Sequence, residues 1–310
     1  MCRDALRSFR SAIVAVFVVI LNACGDEQRE VSLASDPMPH IFAVNYPIAY
    51  FATVLAADDA VVSFPAPAGV DPAYWRPSVG TILAYQRADL ILLNGAGYAR
   101  WVRQISLPQQ RLVDTGAAYV KDLIAGETGP THSHGPDGAR DHGKFAFTTW
   151  LDLTLAQQQV AAISTAMREL MPANSTIIAE RAASLTIELA DIDRSLVRAT
   201  AKLRRVPIIF SHPVYQYLER RYQLKGHSVH WEPDAMPTIA QWQAFEDILA
   251  EHPARFMLWE DDPLPQVRDR LSAMGLRVIV YRTLGNRPAH SDFLSVMRAN
   301  VDAMVEQVLR

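Results

Sequence analysis

The chain has 310 residues, half of them hydrophobic, with a formal charge of −3. A mildly acidic balance without a basic stripe is a poor match for nucleic acid. Both cysteines, Cys2 and Cys24, lie at the extreme N-terminus. The body is left without thiols or disulfides, and any metal site in it must use His, Asp, Glu or water.

Arg3, Arg7 and Arg10 precede an apolar stretch, Ala12–Leu21, that is too short to span a bilayer. It ends in Leu21-Asn22-Ala23-Cys24, so residues 1–23 read as a secretory signal peptide. A small residue followed directly by cysteine resembles the lipobox of bacterial lipoproteins. That resemblance implies a lipidated Cys24, anchored to the membrane and facing the periplasm or extracellular side. The alternative is an ordinary cleaved signal with an incidental cysteine. Removing residues 1–23 takes away three arginines and one aspartate, leaving 287 residues with a formal charge of −5. That length suits two lobes of ordinary domain size.

Residues 24–37 read as a polar tether. An N-terminal lobe over 38–171 then alternates strands at Ile41–Val44, Val61–Phe64, Leu90–Leu93 and Arg111–Val113 with helices near Ile48–Ala57, Val79–Arg87 and Tyr98–Ile105. Such alternation predicts parallel βαβ units. Residues 127–144 interrupt it with a Gly/Pro-rich loop carrying His132, His134 and His142 among carboxylates. Imidazoles in that setting suit a borderline metal such as zinc, and the bland alternative is a solvated insertion. Asn94-Gly95-Ala96-Gly97 lacks the third glycine of a dinucleotide fingerprint and reads as a tight turn.

A helix over Asp152–Met171 leads to Pro172, which opens a longer one to about Arg204. The apolar positions Ile178, Ala182, Leu185, Leu189, Ile192, Leu196, Ala199 and Leu203 are spaced by four and three. At 1.5 Å per residue this spine would run about 50 Å. It either packs against both lobes or forms a coiled-coil dimer. A C-terminal lobe over 205–310 resumes the pattern, with strands at Ile208–Phe210, Ser228–His230, Phe256–Trp259 and Arg277–Tyr281. Its helices fall near Pro213–Gln223, Ile239–Ala250, Pro265–Ala273 and Phe293–Leu309. The predicted fold is α/β, two lobes with mostly parallel sheets joined by one long helix, without an evident internal sequence repeat.

Ligands of open α/β sheets bind beyond the carboxyl ends of the strands. In the second lobe those ends carry His212, then His230, Trp231 and Glu232, then Glu260, then Arg282. His-Glu-x-x-His, Gly-x-x-x-x-Gly-Lys and Gly-x-Ser-x-Gly do not occur.

Four segments carry a family resemblance. They are Gly69-Val70-Asp71-Pro72-Ala73-Tyr74-Trp75, Thr149-Trp150-Leu151-Asp152, Phe210-Ser211-His212-Pro213-Val214-Tyr215, and Leu284-Gly285. In this order, around a His-rich loop and a long helix, they resemble the zinc/manganese solute-binding proteins of bacterial ABC importers, from about Pro39 to the C-terminus. The resemblance implies a monomeric binding protein, not an enzyme. It would capture zinc, with manganese as the alternative, between its lobes and deliver it to a permease with its ATPase on separate chains. The long helix would limit hinge opening.

The departures are equally specific. Ala73, Thr148 and Arg282 stand where the family places metal ligands, and only His212 remains. An arginine has no lone pair to give a cation and repels it. Three readings stay open. A rebuilt site would join His212 to Glu260, to His230 or Glu232, and to an imidazole of His132, His134 or His142. A second would use Arg282, Trp75, Trp231 and Trp259 for an anionic or aromatic metal chelate. In the third, a degenerate cleft leaves an accessory metal-buffering lipoprotein. A zinc-dependent hydrolase with Glu260 as acid/base is the rival of a different class. Glu260 could instead pair with Arg282, and Trp75, Thr148, Glu232 and Arg282 are expected to line the cleft.

Overall fold

The computed structural model describes residues 38–126 and 144–309. Cys24, His132, His134 and His142 lie outside the described residues. Two four-stranded, wholly parallel sheets form the two lobes. In the first, β1 (His40–Ala43), β2 (Val61–Ser63), β3 (Leu90–Leu93) and β4 (Leu112–Asp114) lie in the order β2-β1-β3-β4. In the second, β5 (Pro207–Phe210), β6 (Lys225–Ser228), β7 (Phe256–Trp259) and β8 (Arg277–Val280) repeat that order as β6-β5-β7-β8. The lobes are therefore a topological repeat that leaves no sequence repeat, because strand order depends on pairing rather than on particular side chains.

Helices α1 (Tyr46–Ala56), α2 (Val79–Arg87) and α3 (Leu153–Leu170) flank the first sheet. Around the second stand α5 (Gln216–Tyr222), α6 (Ile239–Glu251), α7 (Pro265–Ala273) and α8 (Phe293–Leu309). Helix starts follow local chemistry. Asn45, Ser78 and Asp152 each accept a backbone N–H of the first turn of α1, α2 and α3, and Thr238 with Gln241 forms a capping box on α6.

The spine is shorter than the 172–204 expectation. Pro172–Asn174 is a 3-10 turn and the α-helix proper, α4, covers Ser175–Thr200, 26 residues. Met171 lies outside the helical region (φ −125°, ψ 69°), so the chain re-enters helix only after the proline. At the far end, the Thr200 hydroxyl donates to Leu196 O, and a turn from Leu203 N to Thr200 O closes the chain. The predicted seam is buried throughout, from Ile178 to Leu203. Helix α4 buries it against α1, α3 and α8 of its own chain. A coiled-coil partner has no seam left to use.

Two other elements depart from expectation. The edge strand of the second sheet is Lys225–Ser228, not Ser228–His230. Gln223 in the left-handed region (φ 55°) ends α5, and Gly226, lying against the Phe210 ring, lets the strand pair early. Tyr98–Ile105 holds only a 3-10 helix, Arg100–Gln104. Its entry through Gly95, Ala96, Gly97 and Ala99 has positive φ throughout and cannot begin an α-helix. The Gly95–Gly97 turn is thus the tight turn read from the sequence.

One hydrophobic cluster runs through both lobes, from Ile41, Phe51 and Ile91 through Leu185 and Leu189 of α4 to Phe210, Tyr281 and Phe293. The spine also touches each lobe by polar contacts. Arg181 caps the carboxyl end of α1 through Leu55 O and Ala56 O, and it pairs with Asp59 at 2.5 Å. Asp193, buried in α4, takes two hydrogen bonds from Arg221 (3.0 and 2.6 Å) and one from the Tyr222 hydroxyl (2.9 Å). No helix of the described residues is long and apolar enough to cross a membrane.

Candidate metal centre

In each sheet the chain runs one way from the first strand to the second and the other way to the third and fourth. The switch points are therefore β1/β3 and β5/β7. Crevices form there, beyond the strands' carboxyl ends. In the first lobe those ends carry Asn45 and Asn94, and in the second Ser211-His212 and Glu260.

Backbone pairing beyond the strands sets the second lobe's geometry. Val229 N donates to Phe210 O (2.8 Å) and Trp231 N to Ser211 O (2.7 Å), so the β5–β6 ladder continues into the loops. His212 and His230 become neighbours, with ring centroids 5.7 Å apart and planes at 75°. Two imidazoles on one tetrahedral zinc, at Zn–N of about 2.1 Å, would hold their centroids about 5 Å apart. On the other side, Ser211 N donates to Leu258 O (2.9 Å) and Tyr281 N to Trp259 O (2.8 Å). These bonds set Glu260 between the His212 loop and the loop after β8.

Glu260 is only partly accessible, and its carboxyl is pushed up to about 8. Burial is the largest cause, followed by the negative charges of Glu232, Asp71 and Asp261, against a hydrogen bond with Thr283 that favours the ionised form. Glu232 and Asp71 thus face Glu260 from the second and first lobes. Carboxylates gathered at a partly buried point raise one another's proton affinity, and a divalent cation is the natural relief of that repulsion. Among the described residues, however, no three His, Cys, Asp or Glu side chains already converge as a metal-holding group.

The three substituted positions have new roles. Ala73 is buried in the 65–78 loop, where its N–H donates to Asp71 Oδ1 at 2.9 Å. Thr148, also buried, lines the junction of the lobes, and its hydroxyl donates to Val214 O at 2.5 Å. Thr148 is thus a neutral latch between the lobes. Arg282 does not line the cleft as a free cation. Its guanidinium contacts Asp261 and Asp262 at 2.8 Å each, so it forms no pair with Glu260. Two exposed carboxylates beside the strand end outcompete one whose charge is suppressed by burial.

The aromatic side chains are structural. Trp231 and Trp259 are buried in a separate core cluster with Trp242 and Phe245, and Trp231 also forms part of the wall of a pocket with His230 and Glu232. Trp75 is partly buried and sets its ring edge on Trp101. His252 donates through Nε2 to Ile208 O (3.1 Å) and caps the end of α6, a packing role.

The first lobe adds a polar floor. Asn45 Nδ2 donates to Asn94 Oδ1 (2.9 Å) and Asn94 Nδ2 to Phe147 O (2.9 Å). Gln159 Nε2 reaches Asn94 and Thr149, whose hydroxyl also accepts from Tyr119. Across the lobes, Tyr46 N donates to Gly285 O, Trp150 Nε1 to Thr283 O, and Asn286 Nδ2 to Pro67 O and Val70 O. The Asp71 loop is therefore held on the second lobe.

Asp71 and Thr283 were not singled out from sequence. Asp71 stood in the quoted first-ligand segment, but its electrostatic contact with Glu260 arises only when the lobes meet.

Two parallel α/β lobes on one long helix, with paired imidazoles and a buried carboxyl group at the strand ends of the second lobe, make the architecture of a two-lobe solute-binding protein. Comparison with known proteins makes the class specific. The profile of the zinc-uptake complex component A, periplasmic (ZnuA), matches residues 41–307, and the chain belongs to that family. The high-affinity zinc uptake system protein ZnuA of Bacillus subtilis (strain 168) is 26% identical over 309 residues, covering 96% of each chain. Among solved structures, the metal-dependent lipoprotein YcdH of Bacillus subtilis superposes with a TM-score of 0.73 at 22% identity, over 86% of this chain and 98% of that one. The Zn(II)-bound ZnuA-like domain of Streptococcus pneumoniae AdcA gives 0.73 at 20% identity, over 86% and 98%. The family is the zinc-binding periplasmic component of ABC zinc uptake, a binding protein rather than an enzyme.

Proposed function

We propose that this chain captures zinc at the lobe junction through His212, His230 and Glu260, with Glu232 and Asp71 as the nearby carboxylates, and delivers it to an ABC permease and its ATPase on separate chains. The observation that carries the reading is the His212–His230 pair at the end of β5, with Glu260 at the end of the neighbouring β7. Neutral imidazole with carboxylate oxygen is a donor set that suits zinc, and four such groups complete a tetrahedron. His132, His134 and His142 are the further imidazoles this reading draws on. Manganese, which prefers oxygen donors, is the weaker fit to a pair of imidazoles.

The metal-chelate alternative is less favoured, because Arg282 is paired with Asp261 and Asp262 and Trp231 and Trp259 are packed in a core cluster. As a lipoprotein, the chain would be held by acyl chains on Cys24 as an extracytoplasmic monomer, with residues 24–37 as its tether. Calorimetric titration of zinc into wild type and His212→Ala tests the site. We expect one tight event in wild type, weakened at least tenfold in the variant. Undiminished affinity would remove His212 from the site and favour a metal-buffering role for the His-rich segment.

A further inference from the structure

We infer that Tyr217 is a positioning residue for the metal site, tying the neck of the 127–143 segment to the helix that follows His212. The inference rests on the zinc-capture reading above and deepens it. On either side of the segment, residues 124–126 and 144–146 pair as a short antiparallel ladder. Its bonds are Gly126 N to Lys144 O (3.0 Å) and Ala146 N to Ile124 O (3.0 Å), with a bridge at Ala125–Phe145. The Tyr217 hydroxyl closes that ladder from the second lobe. It accepts from Ile124 N at 3.2 Å and donates to Ala146 O at 3.0 Å, so one phenol holds both neck strands. A hydroxyl is suited to this because it donates and accepts at once.

The surroundings favour one position for the phenol. Tyr217 is fully buried and packs with Tyr119, Ala146 and Leu155. Arg220, one turn on, lies over its ring at 5.1 Å and donates to Asp122 O just before the neck. Helix α5 in turn leaves directly from the His212 turn, where Val214 N donates to His212 O (2.9 Å) and Gln216 Nε2 to Pro213 O (2.8 Å). Two residues beyond the neck, Thr148 donates to Val214 O in that same turn. The neck and the His212 turn are thus linked twice, through Tyr217 and through Thr148. A displacement of the neck carries into the turn that orients His212.

Tyr217→Phe keeps the ring and its packing but leaves Ile124 N–H and Ala146 C=O without this partner. The test measures zinc release from the purified chain into excess EDTA, together with the absorption spectrum of the cobalt-substituted protein. We expect zinc release about tenfold faster, about 1.4 kcal/mol off the barrier to release, and a changed cobalt ligand-field spectrum. Thr148→Val, on the second link, should act in the same direction even if Tyr217→Phe folds poorly. Val267→Ala, in the separate core cluster, should lower stability without changing release. Wild-type release rates in both Tyr217→Phe and Thr148→Val, or an equal acceleration in Val267→Ala, would overturn the inference. So would an undiminished Tyr217→Phe effect in a His212→Ala background, since the action would then bypass His212. Failure of the zinc-capture reading is recognised separately, in wild type itself, as zinc binding that is absent or independent of His212.

Discussion

Glu260 concentrates the electrostatics of the junction. Its carboxyl is pushed up to about 8, so near pH 7 the metal-free protein mostly holds it protonated. A zinc ion bound there must displace that proton, since a ligating carboxylate is deprotonated. Zinc affinity should therefore rise with pH up to about 8 and then level. Titration at pH 7 in buffers of different ionisation enthalpy should report about one proton released, and none from this site in Glu260→Gln. The same shift acts on stability with the opposite dependence. The folded state holds the proton more tightly than the unfolded chain, whose carboxyl titrates near the ordinary value of 4.5. The associated stability is present below that value and is lost as pH rises towards about 8, by a few kcal/mol at about 1.4 kcal/mol per unit. Urea midpoints of wild type should fall over this range more than those of Glu260→Gln, and parallel curves would contradict the assignment.

At the level of elements, the site depends on strands that begin and end on time. His230 meets His212 because β6 pairs with β5 from Lys225, and that early start depends on Gly226 beneath the Phe210 ring. A Cβ at Gly226 would lie 2.0 Å from Phe210 Cε2 and 2.5 Å from Cζ. Phe210 is itself buried in the shared core and has little freedom to yield. Gly226→Ala should therefore cost about 1–3 kcal/mol, the usual range for overpacking a filled site. It would be read as a lower urea midpoint at unchanged m-value. An unchanged midpoint would mean that the ring moves freely. The other contribution of the elements is to hold α5, where Asp193 of the spine accepts from Arg221 and Tyr222. The sequence marks those partners only as a seam-helix aspartate and an Arg-Tyr pair far apart in the chain. Their pairing ties the end of α5 to the spine.

For the molecule as a whole, the common core matters more than the division into lobes. Apolar side chains from both sheets and from α4 belong to one cluster, and hydrogen bonds such as Tyr46 N to Gly285 O and Trp150 Nε1 to Thr283 O cross between the lobes. Wide opening would expose that core to water at about 25 cal/mol per Å² of apolar surface. Metal exchange should accordingly proceed by local rearrangement of loops at the strand ends. Small-angle X-ray scattering profiles recorded with and without saturating zinc should superpose. A clear contraction on binding would show that the lobes do separate.

The sequence by itself determined the α/β alternation, the two-lobe order, the spine's buried seam and the candidates His212, His230 and Glu260, because periodicity and strand ends are local properties of the chain. Its family resemblance also pointed to Ala73, Thr148 and Arg282 as positions where ligands were expected. Only the tertiary structure decided what those departures do. Thr148 became a latch to Val214, Arg282 turned to Asp261 and Asp262, and Trp231 and Trp259 entered the core. The charge of Asp71 came to act on Glu260 from the other lobe. Each outcome is a competition among partners distant in sequence, settled by burial and by which charge lies nearest, and no local pattern records it.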